Sequence, residues 1–183
     1  MTTPKLLVVV GTKKSEKTTV VEHIISGLTR KGFRIGSIKH IHHPDFTIDS
    51  EGTDTWRHAQ PGSRIVATLS KNETALIIRD DLESTLPSAP NFMMNQGLDM
   101  IVIEGLHSSM GQRTDIFKVI TAHDSEDLKE RINNTAPPIV AISRVIAEKA
   151  SSLPDNNVPV INAMTNSAKL IEKIENEVLR NKN

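Results

Sequence analysis

The run LLVVVGTKKSEKTTVVEHII, residues 6–25, limits the fold more than any other part of the chain. An apolar, β-branched stretch ends at Gly11. A polar loop follows, and apolar residues then return at helical spacing at Val21, Ile24, Ile25 and Leu28. A strand buried on both faces reads as a continuous apolar run, whereas a surface helix reads with a period of 3.6 residues. The expected order is therefore strand, tight loop, helix, with the helix over residues 18–31 and Gly32 as its stop. The loop Gly11-Thr12-Lys13-Lys14-Ser15-Glu16-Lys17-Thr18 matches the phosphate-binding pattern G-x-x-x-x-G-K-[ST] except at the second glycine, which is Glu16. In such a loop the backbone N–H groups and the helix dipole converge on one anion. On this reading Gly11 permits the turn, Lys17 reaches the terminal phosphates and the Thr18 hydroxyl sits on a magnesium ion.

Glu16 leaves two readings open. Its carboxylate would oppose phosphate: two unit charges about 4 Å apart interact by about 4 kcal/mol at an effective dielectric of 20, roughly a thousandfold in affinity. Lys13, Lys14 and Lys17 share the loop, however, and a side chain turned outward could pair with one of them. The alternative is a loop retained for structure alone. Glu16 would then be a first-turn acid favoured by the helix dipole.

The rest of the chain repeats the alternation. Residues 5–10, 33–40, 98–105, 115–121, 137–143 and 158–162 read as strands. Residues 53–62, 125–133 and 167–179 read as helices, the last with Leu170, Ile171, Ile174 and Val178 on one stripe. Residues 64–70 and 74–79 are short strands about a turn apart, which suits a hairpin. A proline-containing helical segment is expected over 81–96, and residues 87–90 and 155–157 read as loops within one domain. Strands alternating with helices imply an α/β fold with a mostly parallel sheet. The expectation is one P-loop NTPase-like domain over residues 1–183, a three-layer α/β/α arrangement with a β-hairpin insertion.

Bulk composition excludes several function classes. The chain has 183 residues, and its 22 Lys and Arg balance 22 Asp and Glu, so no global charge draws it to nucleic acid or an anionic membrane. It has no cysteine, hence no disulfide framework and no thiolate metal site. No apolar run reaches the roughly 18 residues a membrane helix needs. Residues 1–10 lack the pattern of a secretory signal, so a cytoplasmic location is expected.

Two further segments carry chemistry. KHIHHPDFTIDSEGTDTWRH, residues 39–58, places Lys39, His40, His42 and His43 at the end of the second strand, with Asp45, Asp49, Asp54, Arg57 and His58 after them. Ligands of open α/β sheets bind beyond the carboxyl ends of the strands, so this block shares a rim with the phosphate loop. Its aspartates suit magnesium. Its imidazoles suit zinc or nickel, although their spacing matches no common zinc set. A solvated polar loop is the plain alternative, with Trp56 as a packing residue. The second segment, LDMIVIEG, ends a buried strand in Glu104-Gly105. An acid there can hold a metal-bound water, or simply cap the sheet edge, while Asp99 lies toward the opposite end.

Together these segments resemble the molybdopterin-guanine dinucleotide biosynthesis protein B family. The resemblance rests on the loop, Lys39-His40-Ile41-His42-His43, Phe46 to Asp49, Gly52 to Thr55, Pro61-Gly62 and Glu104-Gly105, and extends over most of the chain. It implies a homodimeric P-loop protein that binds GTP and magnesium. Such proteins assist the guanylyltransferase partner that joins GMP to molybdopterin, for molybdenum or tungsten enzymes, and are weak GTPases at most. By this likeness Gly11, Thr12, Lys13, Lys14, Ser15, Glu16, Lys17, Thr18 and Thr19 bind phosphates, and Thr18 and Glu104 hold magnesium. Lys39, His40, His42, His43, Asp49, Asp54 and Gly105 line the rim, where molybdopterin is a further candidate ligand. Topology points to Ser143-Arg144 for the guanine. The family's Gly-Lys pair is Glu16-Lys17 here, and its usual alanine is Pro61. Two other functions stand beside this one: a non-hydrolysing module that docks a guanylyltransferase or cofactor partner, and a metallochaperone GTPase built on the His block.

Overall fold

β1 (Lys5–Val10) leads into α1 (Lys17–Arg30) and then β2 (Ile35–Lys39). The structure, a computed structural model, describes residues 3–43, 45–79, 86–143 and 158–180. After β2 come α2 (Asp54–Ala59), the strands β3 (Ile65–Leu69) and β4 (Thr74–Ile78), and a 3-10 stretch over Leu86–Met93. β5 (Met100–Glu104), α3 (His107–Met110), β6 (Phe117–Thr121), α4 (Ser125–Asn133), β7 (Ile139–Ser143) and α5 (Ser167–Ile174) complete the order. α5 runs on into a π turn at Glu175–Leu179.

Chain contacts divide the fold into two compact units, Met1–His40 with Pro87–Asn183, and Ile41–Leu86. The first is built on a parallel sheet of order β2-β5-β1-β6-β7. β5 and β1 lie inside it, which explains their unbroken apolar sequence: side chains on both faces are covered. Leu7 and Val9 of β1 point to one face and Val8 and Val10 to the other, all fully buried. α1 and α5 cover the first face, with Val20, Ile24, Leu28, Leu170, Ile171 and Ile174 in one core with Leu7, Val9 and Val102. Burying each such side chain contributes about 1.5–3 kcal/mol. The two helices meet closely at Gly27, where an added Cβ would stand 2.5 Å from Ile171 Cγ1. α4 packs on β6 and buries Leu128.

Several expectations shift. Residues 158–162 do not form a strand: Val160 makes one isolated parallel bridge to Ile142. Pro159 has no N–H to extend the ladder, and only its carbonyl is used, accepting from Ile142 N. Of residues 81–96, the helical part among the described residues is a 3-10 stretch over Leu86–Met93, with Pro90 inside it. Residues 155–157 and Arg144 lie outside the described residues. Lys118 is the other surprise, a lysine with no exposed surface in β6. Its ammonium donates to the carbonyl oxygens of Arg113, Ala136 (2.8 Å) and Pro137 (3.4 Å). Burial pushes its proton affinity down.

The second unit holds α2 and the antiparallel β3–β4 hairpin. Its clasp is Asp49. Asp49 Oδ1 accepts from Thr55 Oγ1 (2.6 Å), Thr53 Oγ1 (2.8 Å) and the Ser50 N–H (3.1 Å), and Oδ2 accepts from Arg79. Those hydroxyl bonds and the arginine hold the carboxyl below its ordinary range. Thr53 caps α2 through the Trp56 N–H. Ile65, Leu69 and Leu76 share one hairpin face by register and are exposed, Leu69 to 79%. No helix among the described residues is long and apolar enough to cross a membrane.

Candidate functional site

The carboxyl ends of β1, β2, β5 and β6 meet in the first unit because all four strands run parallel. At β1 the chain turns at Gly11, and an added Cβ would stand 2.2 Å from Thr121 Oγ1, 2.4 Å from Thr121 O and 2.5 Å from Ser15 Oγ. Only a glycine fits there. Ser15 is fully buried; its hydroxyl donates to Thr12 O (2.8 Å) and shares a hydrogen bond with Thr121 Oγ1 (2.8 Å). The loop is thus pinned from beneath to β6.

Lys14 (φ 67°) and Glu16 (φ 60°, ψ 28°) both adopt the left-handed conformation. That region favours glycine, because a Cβ there crowds the backbone. Glu16 thus stands on a backbone conformation that glycine adopts more readily. Glu16 gives α1 no side-chain cap, and the first turn of α1 contains no acid. Such a helix start leaves N–H groups for an outside acceptor. Lys17 Nζ folds back across the loop and donates to Thr12 O at 2.5 Å. Burial lowers its proton affinity, nearby Glu104 and Asp127 oppose that shift, and Lys39 adds to it.

The Thr18 hydroxyl, in the first turn of α1, donates to Glu104 Oε1 at 2.7 Å. Glu104 ends β5 and is nearly buried. Lys39 ends β2, pairs in register with Glu104, and places Nζ 3.4 Å from Glu104 Oε1 and 3.3 Å from Thr18 Oγ1. The His40 N–H donates to Glu104 O, and the Gly105 N–H donates to Val9 O. Thr18, Lys39, His40, Glu104 and Gly105 are thus brought together with the loop. Thr19 lies half-buried in the same turn, and Lys13 is exposed. A hydroxyl and a carboxylate oxygen in contact are hard donors of the kind magnesium takes, so these residues fit that ion.

His42, His43, Asp49 and Asp54 belong to the second unit. His42 and His43 are exposed there. Asp54 pairs with Arg57 at 3.4 Å, and Asp49 is engaged in the clasp described above. Among the described residues, no group of three or more His, Asp or Glu is placed to hold a metal.

Sequence reading missed the support behind the loop. Asp127, buried in the first turn of α4, accepts from Thr12 Oγ1 (2.8 Å) and the His123 N–H (3.2 Å), and pairs with His123 Nδ1 (2.8 Å) and Arg131 Nε (3.6 Å). Asp124 caps the same helix through the Glu126 and Asp127 N–H groups. A signal for it existed: an acid three residues after a capping aspartate, just past a strand that neighbours β1.

Comparison with known proteins agrees with this architecture. The family described as MobB, molybdopterin guanine dinucleotide synthesis protein B, matches residues 6–143. The molybdopterin-guanine dinucleotide biosynthesis adapter protein of Escherichia coli is 30% identical over 114 residues, 61% of this chain and 65% of that protein. A Methanocaldococcus jannaschii relative is 30% identical over 123 residues, 67% of this chain and 49% of that protein. The match thus spans about half to two thirds of the length of these curated relatives. In fold, the crystal structure of Bacillus subtilis MobB aligns with a TM-score of 0.65 at 24% identity, covering 93% of this chain and 97% of that one. A molybdopterin-guanine biosynthesis protein B structure aligns with a TM-score of 0.67 at 18% identity, covering 93% and 97%. With three quarters of its length matched by that family, the chain belongs to the MobB family.

Proposed function

We propose that this chain is an adapter in molybdopterin-guanine dinucleotide biosynthesis that binds GTP at its β1–α1 loop and turns it over weakly at most. One observation carries the reading: an uncapped start of α1, the Lys17 ammonium and the Thr18–Glu104 pair all face one strand edge. Phosphate oxygens would accept from the free N–H groups of the first turn. Lys17 would exchange the Thr12 carbonyl for a phosphate oxygen, a stronger charge-assisted bond. Thr18 and Glu104 would hold magnesium, which when bound neutralises phosphate charge. Glu104 already accepts from Thr18 and pairs with Lys39, an arrangement suited to holding a cation. Binding rather than turnover is the expected activity. A guanylyltransferase and molybdopterin are the partners this role requires.

Calorimetric titration with GTP, with and without magnesium and against ATP, tests the reading. Micromolar, magnesium-dependent binding with ATP at least about tenfold weaker is expected, a gap of about 1.4 kcal/mol. An absence of heat with every nucleotide would favour a docking module that binds its partner without nucleotide.

The same proposal includes a homodimer formed through the hairpin, since Ile65, Leu69 and Leu76 present an apolar face on two open-edged strands. Light scattering should give twice the chain mass, and Leu69→Lys should reduce it to one. A monomer before substitution removes the dimer from the proposal.

A further inference from the structure

We propose that Lys39 is a tethered cation occupying the magnesium seat of the nucleotide-free protein, so that metal arrival and Lys39 release are a single exchange. This rests on the nucleotide reading above. The Thr18 hydroxyl has one proton and gives it to Glu104 Oε1 at 2.7 Å. It can therefore meet the Lys39 ammonium, 3.3 Å away, only through a lone pair. The same ammonium stands 3.4 Å from Glu104 Oε1. Lone pair and carboxylate oxygen are the two donors a magnesium ion would use, and an ammonium and a dication cannot share them. Lys39 thus keeps the hydroxyl proton turned away from the seat and the carboxylate neutralised while no metal is there.

The two acceptors and the cation differ in how firmly they are held. The Glu104 side chain is 11% exposed and fixed at the end of an inner strand, whereas the Lys39 side chain is 55% exposed on a flexible stem. Release therefore costs little, as for other exposed ion pairs. Lys17 precedes Thr18 in the chain, and Lys39 Nζ lies 3.3 Å from the Thr18 hydroxyl, so both lysines serve one turn of the loop. An anion arriving there would receive the freed charge. A surface ion pair with no further role is the competing account, and it predicts no change in metal affinity when Lys39 is lost.

The test compares the 183-residue chain with its Lys39→Met and Lys39→Gln variants, using Mn2+ alone, followed by the free-ion electron paramagnetic resonance signal. Both variants should bind Mn2+ about fivefold more tightly than the unsubstituted protein, the size an exposed ion pair contributes. Glu104→Gln added to Lys39→Met should abolish the gain, which locates the ion. Metal-free GTP should move the other way, binding the variants about fivefold more weakly. Equal or weaker Mn2+ affinity in both variants, including no binding in any protein, overturns the proposal. Failure of GTP to bind the unsubstituted protein with magnesium sinks the nucleotide reading instead, and the Mn2+ comparison still decides the role of Lys39. Circular dichroism melts check that half-exposed Lys39 was removed without unfolding.

Discussion

Gly11→Ala abolishes GTP binding and lowers the unfolding free energy by about 3 kcal/mol, the upper range for overpacking a filled interior. The new methyl group would stand 2.2 Å from Thr121 Oγ1 and 2.4 Å from Thr121 O. A flexible side chain could yield, but a backbone oxygen of β6 cannot, because β6 is held between β1 and β7. Ser15 is also in the way at 2.5 Å, and its hydroxyl joins Thr12 to Thr121. The loop must therefore lift off β6, which exposes Ser15 and misaligns the start of α1. Urea titration and GTP calorimetry check both halves. A variant with unchanged stability and affinity would mean that the loop is not pinned to β6.

Glu16→Gly tightens GTP binding about thirtyfold and adds about 1 kcal/mol of stability. The stability gain comes from the backbone: Glu16 sits at φ 60°, where glycine carries no Cβ penalty. The affinity gain comes from charge. Removing a carboxylate about 4 Å from phosphate relieves up to about 4 kcal/mol at a dielectric of 20, and exposure with three neighbouring lysines reduces that by about half. Glu16→Gln separates the causes, since it removes the charge and keeps the strained Cβ. It should match glycine in affinity and the parent in stability. If neither variant gains affinity, Glu16 is not the obstacle, and the loop fails or works for other reasons.

Much of the first unit was legible because its signals are local. A strand covered on both faces has to be apolar throughout, so β1 and β5 stand out in the sequence within two residues of their ends. α1 and α5 show their periods, and the hairpin shows two β-branched runs about a turn apart. What the sequence did not show has a common cause. Residues 158–162 have strand composition, yet whether they pair depends on what lies beside β7. Lys118 looks like a polar residue on an alternating strand, and only three carbonyls, of Arg113 and of the consecutive Ala136 and Pro137, make its burial tolerable. Asp49 is one acid of a polar block in the sequence, and only the fold shows Thr53, Thr55 and Arg79 donating to its oxygens.

By itself the sequence determined the order of strands and helices, the glycine at the turn of the loop, and the residue types available for phosphate and magnesium. Those depend on side chains near in the chain, whose spacing already encodes burial. Only the tertiary structure decided that Thr18 touches Glu104 across 86 positions, that Lys39 stands beside both, and that Asp127 braces Thr12. Parallel strands bring their carboxyl ends to one edge whatever the length of chain between them. Which side chains meet there is set by strand order and register, and neither is written in any single segment.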